Sequence, residues 1–319
     1  MALVGGACGW PLSVRAQASL PVVGFINSAS PGPFAHLAAS FRKGLAEEGF
    51  VEGRNYLIEA RWAEGNYERV PAFLQEFLEK QVAVVAVTGG AMPMLMADPE
   101  KVKVPLVFVM GDDPVKQGLV ASLSHPGGNI TGITQLTMEL GAKRLGLLRE
   151  LLPRMKKVAV LLNPNFAATG PHLKEIEAAS AVTGLQPVIL TASTEADFAP
   201  VFKRLEKERP DALLVGADPF FNSRREQIVA LVAQQGIPAI YEFREFAEAG
   251  GLISYGTDLA DAYRLVGVYV GRVLKGSRPS ALPVVQAAKF ELIINLKTAN
   301  ALGIEVPPTL LARADEVIE

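Results

Sequence analysis

Two carboxylates and a group of aromatic side chains follow strand-like segments in the last third of the chain. Asp218 comes after ALLVG, and Glu242 comes after IPAIY. A carboxylate can bind an ammonium group by charge-assisted hydrogen bonds, and aromatic rings can stack on a flat apolar group. The aromatic residues are Phe220, Phe221, Tyr241, Phe243, Phe246 and Tyr255. We expect some of these rings to wall a ligand and at least three of the six only to complete the core.

Groups suited to an anion occur in the first third of the chain. Ser28 follows VVGFIN, and the turn Thr88-Gly89-Gly90 follows VAVVAV. Hydroxyls and backbone N–H groups at a helix start can hold a carboxylate. Together with the carboxylates above, these groups could bind a zwitterionic amino acid. Asp218 is the proposed ammonium anchor; the alternative is an aspartate that only caps a helix or closes a turn.

The sequence contains no set of residues with the spacing of an enzyme active site. His36, His125 and His172 are scattered, and capping or surface hydrogen bonding is their expected role. Asp112 and Asp113 are adjacent, which favours a turn over acid–base work. Neither a G-x-G-x-x-G segment that opens a helix nor a phosphate loop is present. We therefore expect no catalytic residue, no metal site and no cofactor.

Short apolar segments and helical patterns alternate along the chain, which is typical of doubly wound parallel sheets. The helical patterns include Leu37, Phe41 and Leu45, at spacings of three and four. Ser223 and Glu226 have the spacing of a capping box for a helix that Gly236 ends. The strand candidates are VVGFI, NYLIEARW, VAVVAV, PLVFVM, NITGI, VAVLLN, PVILTA, ALLVG, IPAIY and GLISYG. These are too many for one sheet, so we predict two α/β lobes with a break near residues 132–138.

An internal repeat supports two similar lobes. VVGFIN ends at Asn27 and VAVLLN ends at Asn163, and each is followed nine residues later by His-Leu. Likewise, PLVFVM leads into Gly111-Asp112-Asp113-Pro114 and ALLVG into Gly216-Ala217-Asp218-Pro219. Ordinary turn chemistry is the simpler explanation for one such site, but two matched pairs favour a shared plan. Facing lobes leave a cleft, and ligands of parallel sheets bind at the carboxyl ends of the strands.

The candidate ligand-binding residues lie at these strand ends. They are Asn27, Ser28, Thr88, Gly89, Gly111, Asp112, Thr137, Asn163, Asp218, Phe220, Tyr241, Glu242 and Tyr255.

Length and charge limit the function classes. The chain has 319 residues and a formal net charge of -2, with no run of Lys and Arg. This argues against a nucleic-acid partner. Residues 1–20 resemble the distal half of a secretory signal with cleavage near Ala16; a disordered arm is the alternative. Cys8, the only cysteine, lies in this segment. No later apolar run approaches the roughly 20 residues of a spanning helix.

The chain resembles the substrate-binding components of ATP-binding-cassette importers, in the group that includes tryptophan- and phenylalanine-binding proteins. The resemblance rests on GFINSASPGPF, GLAEEGFVEGRNYLIEARWAEGNYERVPAF, HPGGNITGIT, ELGAKRLGLLRELLP, GADPFFNSRREQIVALVAQQGIPAIYEFREFAEAGGLISYG and KFELIINLKTANALGIEVPPTLLARADEVI. It implies a type I periplasmic-binding fold with hinge strands and a solute trapped between the lobes. It also implies a periplasmic location and delivery of the solute to an ABC permease in the inner membrane. The amino end departs from the family, because MALVGGAC lacks the usual arginine-bearing export signal.

These observations predict a specific domain organisation. Residues 1–20 are a signal-peptide remnant, residues 21–132 plus 257–290 form lobe 1, and residues 133–256 plus 291–319 form lobe 2. We expect a monomeric receptor for a small molecule, an aromatic amino acid or a related compound. The alternative is a cytoplasmic α/β enzyme or the effector-sensing domain of a regulator, although no helix-turn-helix segment precedes PVVGF.

Overall fold

The computed structural model describes residues 19–95, 102–135, 140–287 and 289–319. The predicted signal segment therefore lies almost entirely outside the described residues. Within them the chain forms two α/β lobes, each built on its own sheet.

The sheet of lobe 1 has six described strands. In spatial order they are β11 (Val285–Gln286), β5 (Ile130–Thr134), β4 (Leu106–Met110), β3 (Val84–Thr88), β1 (Val22–Asn27) and β2 (Leu57–Trp62). The sheet of lobe 2 has seven: β13 (Glu316–Ile318), β12 (Phe290–Asn295), β10 (Ile253–Thr257), β9 (Ala239–Tyr241), β8 (Ala212–Val215), β6 (Lys157–Leu162) and β7 (Gln186–Thr191). These neighbours pair in parallel except β10 and β12, which are antiparallel.

The described helices cover the sheets. They are α1 (Ala35–Glu47), α2 (Val70–Glu79), α3 (Gly141–Leu151), α4 (Thr169–Thr183), α5 (Phe198–Glu208), α6 (Pro219–Ser223), α7 (Arg225–Gln235), α8 (Arg244–Glu248), α9 (Leu259–Leu274), α10 (Leu296–Ala301) and α11 (Pro308–Leu311). The predicted α/β class with two parallel-sheet lobes is confirmed, and each of the ten strand candidates forms a strand, β1 to β10. Strands β11 to β13 were not among the predicted strands. Strands β11 and β13 have only two and three residues, whereas β12 has six.

Each sheet buries both of its faces, as its continuous apolar strands require. In β3, Val84 and Ala86 pack into the cluster beneath α1 and α9, while Val85 and Val87 pack into the cluster beneath α2. In lobe 2, the side chains of β6 alternate in the same way between the two clusters of that lobe. This alternation fixes the register, because a shift by one residue would exchange the two faces.

Helices α1 and α9 cross at glycines rather than at large side chains. A Cβ on Gly44 would collide with the carbonyl oxygen of Arg264, and one on Gly267 would collide with that of Phe41. The glycine of α9 therefore packs against a helix rather than directly on the sheet. Because α9 follows β10 of lobe 2 yet packs on α1 of lobe 1, the chain returns to lobe 1 at this point.

Three connections join the lobes. In chain order, β5 of lobe 1 precedes α3 of lobe 2, β10 of lobe 2 precedes α9 of lobe 1, and β11 of lobe 1 precedes β12 of lobe 2. The exact domain boundaries within these connections stay a prediction. Among the described residues, no helix is long and apolar enough to cross a membrane.

One predicted helix start is wrong and one helix end is confirmed. Helix α7 begins after Arg224 without a side-chain cap. The hydroxyl of Ser223 donates to the carbonyl oxygen of Pro219 and accepts from the backbone N–H of Ser30, so the predicted capping box with Glu226 is absent. Gly236 ends α7 in the left-handed conformation, as its sequence position indicates.

Candidate functional site

A cavity lies between the carboxyl ends of the two sheets, and both lobes line it. It contains about 50 Å³ of space for the centres of water-sized molecules, which is room for a few waters. Its lining residues are Phe34, Gly89, Gly90, Val109, Met110, Gly111, Gln135, Phe166, Ala217, Asp218, Pro219, Glu242, Phe243, Leu259 and Tyr263. Because both lobes line the cavity, a change in their separation would change its volume.

The lobe 1 wall is held by a buried hydrogen-bond network at the end of β1. Asn27 Nδ2 donates to Thr88 Oγ1 and to the hydroxyl of Tyr263, both at 2.9 Å. Asn27 Oδ1 accepts from the backbone N–H of Ala29 at 2.8 Å. Thr88 Oγ1 donates onward to the carbonyl oxygen of Ile26 at 3.0 Å. Asn27 and Thr88 thus position the phenol ring of Tyr263 rather than line the cavity themselves.

The turn after β3 brings lobe 1 against lobe 2. Gly89 and Gly90 both have left-handed backbone conformations, with φ of 61° and 69°. The hydroxyl of Ser28 donates to the carbonyl oxygen of Gly89 and so fixes this turn. A Cβ on Gly90 would lie 2.8 Å from the ring of Phe166 and 3.2 Å from Pro219. Only glycine permits this close approach across the cleft.

Asp218 both caps a helix and bridges the lobes. Its Oδ1 accepts from the N–H of Phe221 at 2.9 Å, which caps α6. Its Oδ2 accepts from the hydroxyl of Tyr67 in lobe 1 at 2.6 Å and from Asn163 Nδ2 at 3.2 Å. Burial raises the pKa of Asp218 to about 6, although these three donors act in the opposite direction. The capping role, which the sequence left as an alternative, is present, and the residue also lines the cavity.

Glu242 lies at the cavity with a fully buried arginine behind it. Arg144 Nη2 lies 3.7 Å from Glu242 Oε1, and Arg144 Nε donates to the carbonyl oxygen of Tyr255 at 2.9 Å. Burial lowers the pKa of Arg144, and the carboxylates of Glu242 and Glu175 oppose that shift. Sequence reasoning missed Arg144, because an arginine in a helix with an apolar face is ordinarily a surface residue.

Gln135 is a second lining residue that the sequence did not single out. Its backbone N–H donates to the carbonyl oxygen of Met110 at 2.9 Å, which extends the pairing of β5 with β4 by one residue. Its side chain is buried, and Nε2 has no hydrogen-bond partner in the part of the chain that the structure describes.

Among the predicted aromatic residues, only Phe243 lines the cavity. Phe220, Tyr241 and Tyr255 do not, and their rings instead stack within lobe 2. Phe220 lies 5.7 Å from Phe198 between ring centres, Tyr241 lies 4.7 Å from Phe246, and Tyr255 lies 6.2 Å from Phe290. Phe220 and Tyr241 do lie at or just after strand ends, whereas Tyr255 lies within β10, and all three side chains pack onto the hydrophobic core.

The aromatic wall comes from other parts of the chain. Phe34 and Phe166 lie in the loops after the strands that end at Asn27 and Asn163, but at different distances from those asparagines, so the internal repeat does not match them. Tyr263 lies on α9, far along the chain from the other lining residues, and its sequence context contains no signal of this role.

The remaining predicted residues fall into three groups. Gly111 lines the cavity beside Gly89, and Asn163 supports Asp218 from behind. Asp112 is buried next to the cavity without lining it, and burial raises its pKa. Thr137 lies outside the described residues. The structure thus brings Gly89, Gly111, Asp218 and Glu242 together at one cavity.

The histidines have no common site. His172 was expected to cap a helix or to form surface hydrogen bonds, but it is buried within α4, and desolvation lowers its pKa to about 3. His36 Nε2 lies 3.0 Å from Glu245 Oε1 across the cleft, and the backbone N–H of Ser30 donates to Ser223 Oγ at 3.3 Å. The two lobes therefore contact each other directly beside the cavity.

Comparison with known proteins places this geometry among solute receptors. The model of the family "ABC transporter substrate binding protein" matches residues 31–318. The chain is 25% identical over 268 residues to a tyrosine-binding protein of Clostridioides difficile, a match that covers 83% of this chain and 76% of the relative.

Two solved structures share the fold over almost the whole chain. A conserved domain protein from Vibrio cholerae superposes with a TM-score of 0.84 at 25% identity, covering 93% of this chain and 99% of that one. The ABC domain from Streptococcus pneumoniae in complex with L-Trp superposes with a TM-score of 0.82 at 24% identity, covering 94% and 100%.

Proposed function

Since the chain belongs to the ABC transporter substrate binding protein family, and is thus the solute receptor of an ABC importer, we propose that its solute is an aromatic amino acid or a related compound. The receptor encloses this solute between its lobes and delivers it to the permease. The resemblance read from the sequence is confirmed by the family match.

The observation that carries the proposal is the composition of the cavity wall. Phe34 and Tyr263 come from lobe 1, and Phe166 and Phe243 come from lobe 2. Rings supplied by both lobes favour a flat apolar group held between them. Since residues of both lobes form this site, the site is complete only when the lobes are together. Ligand binding therefore favours the closed arrangement.

The charge of the cavity favours a ligand with an ammonium group. Two buried carboxyl groups, Asp218 and Glu242, reach the cavity, while the only buried guanidinium beside it among the described residues, Arg144, is paired with Glu242. The relatives agree with this choice, because one is named for tyrosine and another holds L-Trp.

The finer assignments belong to this proposal. The strand-end residues Gly89, Gly111, Asp218 and Glu242 contact the ligand, while Asn27, Ser28, Thr88 and Asn163 hold them in place. The protein acts as a periplasmic monomer, and it does not transform its solute. The family and its structural neighbours are binding proteins, which argues against the alternative of a cytoplasmic enzyme or regulator.

Titration calorimetry tests the ligand class. We expect L-tryptophan, L-tyrosine or L-phenylalanine to bind at one site per chain and to be recovered unchanged. A deaminated analogue should bind about tenfold or more weakly, because a hydrogen bond to a charged group is lost. Absence of binding by all three amino acids, with binding of another solute class, would refute the proposal.

A further inference from the structure

Gln135 lines the ligand cavity, and its amide nitrogen is a buried donor without a partner among the described residues. The residue is 5% exposed, and its Nε2 makes no hydrogen bond. A buried polar group without a partner is destabilising, so such groups are rare unless they serve a ligand, an ion or a bound water.

The strand order places Gln135 at the hinge side of the cavity. Gln135 directly follows β5, which is the strand that leads out of lobe 1 toward lobe 2. Glu242 directly follows β9, which neighbours β10, the strand that leads back. Asp218 follows β8, one strand farther from the hinge. The donor of Gln135 and the carboxylate of Glu242 therefore share one end of the cavity.

A donor and a carboxylate at one end match the head of an α-amino acid, whose carboxylate and ammonium groups are attached to the same carbon. We propose that Gln135 is a specificity-determining residue that donates a hydrogen bond from Nε2 to the carboxylate of the bound amino acid, while Glu242 accepts from the ammonium group. This inference rests on the proposed function.

The surrounding contacts fit this assignment. The backbone of Gln135 is fixed to Met110 in lobe 1, whereas Glu242 is in lobe 2, so one head group would contact both lobes. Arg144 acts as a positioning residue, since its cation beside Glu242 favours the ionised carboxylate that an ammonium group needs. The apolar part of the ligand then extends away from the hinge toward Phe166.

The test compares an amino acid with the amine that lacks only its carboxylate. L-Tryptophan and tryptamine, or L-tyrosine and tyramine, are titrated into the wild type, Gln135→Leu and Gln135→Glu. Gln227→Leu is the matched control, because Gln227 is exposed on α7. Thermal unfolding of each variant without ligand verifies its fold.

We expect Gln135→Leu to weaken the amino acid by about tenfold or more and to change the amine by about twofold or less. Gln135→Glu should weaken the amino acid further, because two carboxylates then face each other. Equal losses for amino acid and amine, or no loss, would overturn the role of Gln135 while leaving the receptor function intact. Failure of the wild type to bind any aromatic amino acid would overturn the proposed function and this inference together.

Discussion

Tyr67 of lobe 1 donates its hydroxyl hydrogen to Oδ2 of Asp218 in lobe 2 at 2.6 Å, and both residues are buried. The other two donors to Asp218, Asn163 and the N–H of Phe221, belong to lobe 2. Opening of the cleft would therefore break one hydrogen bond of Asp218 and leave two. The contact thus distinguishes the closed arrangement from an open one, which is the requirement for shifting a two-state equilibrium.

Removing the Tyr67 hydroxyl is expected to weaken closure without unfolding either lobe. Tyr67→Phe should reduce the affinity for the solute by about 1–3 kcal/mol, because the closed state leaves Asp218 short of one buried donor. Calorimetry measures the affinity, and small-angle scattering measures closure. Tyr56→Phe is the control, since Tyr56 is buried in lobe 1 away from the cavity. Equal effects of the two variants would show that the interlobe bond does not contribute.

Closure is expected to depend on pH through Asp218. In the closed arrangement, burial raises the pKa of Asp218 to about 6 from its ordinary value of 3.8. In an open cleft the carboxyl group would be hydrated, and its pKa would lie closer to the ordinary value. Below pH 3.8 the group is protonated in both states, and above pH 6 the closed state must bury a charge. Closing therefore takes up a proton between these values, and acidification from about pH 7 to about pH 5 should favour the closed state.

Scattering profiles recorded across this range measure the effect, and Asp218→Asn should abolish it because the amide does not titrate. Both proteins should carry His36→Gln, which removes the interlobe contact between His36 and Glu245. A pH dependence that persists in the Asp218→Asn protein would assign the effect to other groups.

The buried guanidinium of Arg144 is expected to be essential for stability. Arg144→Leu leaves the carboxylate of Glu242 buried without its cation, a change that costs about 3–5 kcal/mol. Urea denaturation of the protein, monitored for the unfolding of lobe 2, measures this loss of stability. Arg149→Leu, at an exposed position of the same helix, should change stability by no more than about 0.5 kcal/mol. Similar midpoints for the two variants would contradict the expected role of the pair.

The fold was predictable because its signals are local. Each of the strands β1 to β10 is a short apolar run, and strand ends such as Asn27 and Asn163 recur in matched positions. Both side chains even close the same turn, accepting from the backbone N–H two residues later. The repetition of a complete strand and turn therefore indicates two similar lobes from the sequence alone.

The site was predictable only in part, because strand-end position does not determine side-chain direction. Tyr241 and Glu242 are adjacent, yet the ring of Tyr241 stacks in the core while Glu242 reaches the cavity. Tyr263 and Arg144 enter the site from helices whose approach depends on tertiary packing. Gln135 lacked any signal of its own, since only the absence of a partner for its amide identifies it.

The contact of Gly90 with lobe 2 gives a steric test of closure. Gly90→Ala should place a methyl group against Phe166 and Pro219 and so hold the lobes apart, weakening solute binding by about tenfold or more. The left-handed conformation of this residue adds about 1 kcal/mol of local strain whether or not the lobes close. Gly184→Ala is the matched control, because its φ of 71° is almost the same as the 69° of Gly90 and no atom lies within 4 Å of the added methyl group. Both variants should lose similar stability in thermal unfolding without solute, but only Gly90→Ala should lose affinity and show a larger radius of gyration when the solute is present. Equal affinity of the two variants would mean that the lobes do not approach at Gly90 when the solute is bound.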